Sequence, residues 1–278
     1  MKMKTFLKRH SLVIGLVLMF LYTWTIDLSN SGVLPFKVPF VICLTLGWGF
    51  IFASLLMTWL TLGKEETAKL FKRFLIWHVE WRWFLAAFLI PMIFVFAILL
   101  NWVITQTPID FSAVMARRIF GEEATLPAFI LPFFLVDFLT NGEEMGWRGY
   151  VLPRLQAKHS ALVSSLILGL LWAFWHLPKY LAPENSSSFL LGSAKILAEA
   201  VLYTWLYNNS KGSLLMTSLM HSLGNTAGVF LPLAGTISGA NTGTLVIVVA
   251  LEVVAAIVMT VAAGAKNLSR TEEKQMQE

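Results

Sequence analysis

Apolar runs of membrane-spanning length recur from one end of this chain to the other, and that pattern removes most folds from consideration. A helix needs roughly 20 mostly apolar residues to cross a bilayer. Runs at residues 11–28, 40–62, 84–105, 126–141 continuing toward 150, 162–177, 189–207, 214–233 and 244–262 meet or approach that length. A bilayer admits only helices or closed barrels, and no ten-residue alternating pattern marks barrel strands. The expected architecture is therefore all-α, a polytopic transmembrane helix bundle of about eight spans, forming a single integral membrane domain over residues 1–278. Composition agrees: hydrophobic residues make up 57% of the chain and charged ones 13%, against about a quarter charged in soluble proteins. That leaves too little polar surface to coat a water-facing globule.

The net charge of +5 does not point to nucleic acid, because the cations are spread through short connectors instead of sharing one face. With the N-terminus placed inside, sixteen Lys and Arg fall on the inner side and four on the outer. The positive-inside rule then predicts a multi-pass cell-membrane protein with both termini cytoplasmic. The first run follows Lys2, Lys4, Lys8 and Arg9, and is bulky with no small-residue cleavage site after it; it reads as a signal anchor. The charged segment 264–278 reads as a frayed cytoplasmic tail. The single cysteine, Cys43, excludes an internal disulfide framework.

Ionisable groups at membrane depth cost several kcal/mol, so each is a functional hypothesis. The fourth run and its continuation carry Asp137, Glu143, Glu144 and Arg148, the fifth His176, and the seventh His221 and Asn225. At about 1.5 Å rise per residue, Glu143, His176 and His221 lie roughly 15, 16 and 12 Å below the inner surface. Three separate helices thus bring polar groups to one level. Glu144 and Arg148 are spaced i,i+4 with the acid first, the favourable order for an ion pair. That pairing leaves Glu143 free to face elsewhere. His221 and Asn225 are also i,i+4 and share a face. Gly146, Gly149, Gly224 and Gly228 flank these positions and would allow close helix approach. Lys195 and Glu199 form a further i,i+4 pair, expected to be structural with the lysine snorkelling outward; Glu252 stands alone in the eighth run.

A carboxylate, two imidazoles and an amide, with no nucleophilic Ser or Cys beside them, suit peptide hydrolysis by an activated water. Glu143 with His176 can polarise the water, and His221 with Asn225 can hold the oxyanion. A variant of the same site places a divalent metal such as zinc on Glu143, His176 and His221, with one position open for water. No HExxH is present, and the choice stays open at this point.

The stretch from Glu143 to Arg148 resembles the EExxxR motif of the CAAX prenyl protease type II and bacteriocin-processing (CPBP, or Abi) intramembrane proteases. Trp172 to His176 resembles their second motif, FxxxH, with Trp in place of Phe, and His221 to Asn225 resembles their third, HxxxN/D. The three occur in order on successive apolar runs, giving a catalytic core of about 126–228. The resemblance implies that Glu143 and His176 activate water, that His221 and Asn225 stabilise the oxyanion, and that Glu144 and Arg148 support them. It implies a membrane-associated or lipidated peptide as substrate, with some family members metal-dependent and others not. A non-catalytic bacteriocin-immunity or membrane scaffold protein using the same bundle to bind a partner is the alternative. A transporter is disfavoured, since no internal repeat is visible.

Overall fold

The computed structural model describes residues 2–112, 114–121, 126–181, 188–233 and 242–270. Eight helices of fifteen residues or more stand among them, one on each apolar run: α1 (Ser11–Asn30), α2 (Trp48–Leu62), α3 (Leu89–Thr105), α4 (Leu126–Thr140), α5 (Ala161–Trp175), α6 (Phe189–Asn209), α7 (Leu214–Phe230) and α8 (Thr242–Ala263). By length and composition α1, α6 and α8 are long and apolar enough to cross a membrane. The other five, at 15 to 17 residues, are shorter than the runs that predict them. Large apolar side chains such as Leu139, Leu190 and Val261 stand three-quarters or more exposed, an arrangement suited to lipid and costly in water. The chain is an all-α membrane protein.

The shortening has local causes. The second run breaks into Phe40–Cys43 and α2, because the chain at Gly47 presses backbone to backbone on residues 140–142. A Cβ at Gly47 would stand 2.5 Å from the Gly142 N and 2.6 Å from the Thr140 carbonyl oxygen, closer than real Cβ contacts. Side chains at this crossing would push the two segments apart. The third run is interrupted at 87–88, leaving the short helix Trp81–Ala86 before α3. The fifth stops at Trp175, where His176 takes the C-cap position and Pro178 follows. After α4 the chain does not continue as α-helix: Met145–Val151 winds as a π-helix before the short helix Leu152–Gln156. Pro153, just beyond it, has no N–H to offer the preceding turn, and wide π turns concentrate at functional sites.

Neighbouring helices pair as α1 with α2, α4 with α7, and α5 through α6 and α8 to α3. Inside a bilayer apolar burial does not separate core from lipid, so cohesion comes from close packing and internal polar contacts. The Trp175 indole donates to Thr23 Oγ1 at 2.7 Å, and the Trp24 indole donates to the Trp175 carbonyl at 2.8 Å. Tyr150 OH donates to the Ser11 carbonyl at 2.7 Å. These three bonds fasten α1 to the segments that carry the polar residues. Phe50, Trp147 and Trp175 fill the space between α2, the π segment and α5, with ring centroids 5.0 to 6.5 Å apart. Gly146 admits the Phe50 ring and Gly149 the Leu70 side chain, whereas nothing approaches Gly228, so that glycine is not a packing device.

The tail departs from expectation over 264–270. Ala161 N donates to the Lys266 carbonyl at 2.7 Å, Asn208 and Asn209 side chains donate to the carbonyls of residues 267 and 268 at 2.8 Å each, and Leu268 is fully buried. These residues clamp the ends of α5 and α6 together instead of fraying. Residues 271–278 lie outside the described part.

Candidate active site

Asn141 and Gly142 form the bend between α4 and the π segment. Asn141 Oδ1 accepts from the Glu143 N–H at 3.0 Å, restarting the helix and setting where Glu143 emerges. From there Glu143 Oε2 accepts from the Trp172 indole N–H at 3.0 Å, with the Trp147 indole at 3.4 Å. Trp172 belongs to α5, and its carbonyl lies 2.9 Å from His176 Nδ1. A carbonyl only accepts, so Nδ1 carries the proton and His176 Nε2 is left as a base.

His221 projects from α7 between two acids. Its Nδ1 lies 2.9 Å from Glu144 Oε1, and its Nε2 lies 4.0 Å from Glu143 Oε1, outside hydrogen-bond range. Glu144 Oε1 also accepts from Arg148 Nη1 at 2.8 Å, and both side chains are fully buried. The Arg148 guanidinium is sandwiched by rings, its Cζ 4.6 Å from the Trp172 centroid and 4.4 Å from that of Tyr203. Its Nε and Nη2 have no hydrogen-bond partner, so the ring faces supply their contact. One turn beyond His221, Asn225 Nδ2 donates to Asp137 Oδ1 at 3.1 Å. Asp137 on α4 thus orients the amide.

The Glu144–Arg148 pair is present as the spacing predicts. The role of Glu144 in fixing His221 is not readable from spacing, because it joins residues 77 apart in the chain. The substitution of Trp for Phe at position 172 adds a donor aimed at Glu143, which phenylalanine lacks. Trp172→Phe should keep the wall but leave that carboxylate less firmly held. One hydrogen bond to a charged group is worth about 1.5 kcal/mol, so kcat should fall by roughly tenfold with the fold intact, measured by initial rates on purified protein.

Asp137, Trp172, His176, His221 and Asn225 line a single cavity of about 630 Å³. Lys195 and Glu199 of α6 line its other side. Here the expectation of outward snorkelling fails: Lys195 Nζ contacts Glu199 Oε1 at 2.5 Å and lies 3.6 Å from Glu252 Oε1, and Glu252 is wholly buried. Two carboxylates hold the ammonium inward, because solvating it elsewhere would strand both of them.

The metal variant does not fit. Among the described residues no group of three or more His, Cys, Asp or Glu side chains is placed to hold a metal ion. His221 Nε2 and Glu143 Oε1 stand 4.0 Å apart, wider than the roughly 3.3 Å between two ligand atoms on one tetrahedral zinc at about 2.0 Å each. No step below is routed through a metal.

Comparison with known proteins falls on this same stretch. The family described as type II CAAX prenyl endopeptidase, Rce1-like, matches residues 123–227, a span that holds Asp137, Glu143, Trp172, His176, His221 and Asn225. A protein named CAAX prenyl protease 2 from Methanococcus maripaludis is 23% identical over 172 residues, covering 58% of this chain and 63% of its own. The chain thus spans under two thirds of the length of that curated relative. The three motifs lie in order inside the matched stretch, so residues 123–227 are similar to the Rce1-like family of type II CAAX prenyl endopeptidases.

Proposed function

We propose that this protein is a multi-pass intramembrane endopeptidase that hydrolyses a peptide bond in a membrane-associated or lipidated peptide. The observation that carries the reading is the Glu143 carboxylate, held by an indole N–H at 3.0 Å beside His221, next to the cavity walled by His176 and Asn225. In the reaction, Glu143 and His176 Nε2 hold a water, and Glu143 takes its proton as the oxygen attacks the carbonyl carbon. The carbonyl π electrons move to oxygen, and that oxyanion is met by the second Nδ2 hydrogen of Asn225 and by His221 when its Nε2 is protonated. Glu144 and Arg148 act through His221 by fixing the ring. Glu143 then returns the proton to the leaving amine as the C–N bond breaks. The similarity of residues 123–227 to that family and the relative's name favour a prenylated C-terminal peptide as substrate.

The test is purified protein in detergent or nanodiscs against a farnesylated peptide and its unprenylated twin, with products read by mass spectrometry. Endoproteolysis downstream of the lipidated cysteine supports the reading. If neither peptide is cut while the phenotype of the cell survives alanine at Glu143 and His221, the protein is a non-catalytic binder. Because the ligand set does not fit a metal, exhaustive treatment with 1,10-phenanthroline should leave the cleavage rate unchanged. Loss restored by added zinc would overturn that part of the mechanism.

A further inference from the structure

Away from the candidate site, a second cleft of about 480 Å³ opens at one end of the bundle, where three separate connectors meet. Its floor is apolar. The Trp83 and Trp205 rings meet edge to face at 5.5 Å, and Met259 of α8 lies beside them. Its rim is basic, formed by Arg82, Lys211 and Arg270, with Glu80 the one acid among the described residues that line it. Glu80 is taken up by Arg82 at 2.8 Å. Lys211 Nζ reaches the His78 carbonyl at 3.3 Å and Arg270 Nε the Ala262 carbonyl at 2.9 Å, contacts that hold the cations in place without neutralising them. The described lining residues therefore carry a net charge of about two positive units.

Cations over an apolar floor with indoles at the edge match the interfacial zone of a bilayer, where tryptophan rings settle and basic pockets between helices bind anionic head groups. An arginine fork suits a phosphate better than a point charge does. The surroundings continue the match downward. Val254 and Val258 of α8 are both more than half exposed and lie in one i,i+4 row with Ala262 at the cleft. An acyl chain can run along that row while its phosphate sits on the rim. We propose that this cleft is a binding site for an anionic phospholipid, with the phosphate between Arg82, Lys211 and Arg270 and an acyl chain on the Val254–Val258 face. The site is independent of the peptidase reading.

The experiment is native mass spectrometry of the full chain titrated with phosphatidylglycerol or phosphatidylcholine, on the wild type and two triple variants. In one, Arg82→Gln, Lys211→Gln and Arg270→Gln strip the rim. In the other, Lys64→Gln, Lys69→Gln and Lys72→Gln remove as many cations from a helix outside the cleft. The wild type should favour phosphatidylglycerol by roughly tenfold or more. That preference should vanish in the rim variant and persist in the control. Excess inorganic phosphate should not displace the lipid. Equal retention of both lipids by the wild type, equal loss in both variants, or displacement by free phosphate would each overturn the proposal. All the altered side chains are at the surface, and monodisperse elution of each variant confirms that loss of binding is not loss of fold.

Discussion

Glu143→Gln should lower peptide cleavage by about 10³-fold or more while leaving the bundle intact. The amide has nearly the shape of the carboxylate, and its oxygen can still accept from the Trp172 indole at the position where Oε2 now sits, 3.0 Å away. What it loses is the ability to take a proton from water, so the effect should fall on kcat and not on KM. The side chain is only partly buried and makes no ion pair closer than 4.0 Å, so its neutral replacement has little stability to remove. Unchanged thermal unfolding beside collapsed turnover is the expected signature. A proportionate fall in both would assign Glu143 to the scaffold.

Arg148→Met should have the opposite signature, a large loss of stability that carries activity with it. The arginine is the ion partner of a carboxylate that is itself fully buried, at 2.8 Å. Removing one partner of a buried pair strands the other charge and costs about 3–5 kcal/mol. For a chain of this size that is a fall in midpoint on the order of 10 °C. Neutralising the stranded acid should recover part of it: Glu144→Gln with Arg148→Met should unfold at a higher temperature than Arg148→Met alone, because no bare carboxylate remains. The double variant should still cleave slowly, since the introduced amide can offer His221 Nδ1 an acceptor oxygen in place of the carboxylate. A double variant no more stable than Arg148→Met would show that the pair is not coupled as the 2.8 Å contact implies.

The residues of the candidate site stood out in the sequence because charge is so costly in an apolar run that its position alone is informative. Glu143, Glu144, Arg148, His176, His221 and Asn225 needed only helical spacing and depth to be grouped. Asp137 was visible as an anomaly, but its bond to Asn225 joins residues 88 apart, and no local pattern encodes that. The Glu144–His221 contact was hidden for the same reason. Lys195 was misread because a lysine near a helix end ordinarily reaches for water; here Glu199 and Glu252, the latter on α8, outcompete water for it.

Backbone detail was the least legible part. Hydropathy marked eight runs, but it carries no term for Gly47 crossing Gly142, for the π turn ahead of Pro153, or for His176 closing α5. Each shortens or bends a helix, and of the three His176 lines the cavity. The tail was misjudged from its charge, since its fastening runs through main-chain carbonyls that composition does not register.

Central to the proposed mechanism is Glu143 delivering solvent to a peptide carbonyl in the adjoining cavity. The most direct measurement is cleavage of a lipidated peptide in water enriched in oxygen-18, followed by mass spectrometry of the new carboxyl terminus. The wild type should place one labelled oxygen there at each cut, and Glu143→Gln should yield no labelled product above background. Labelled product forming at the wild-type rate in Glu143→Gln would contradict it.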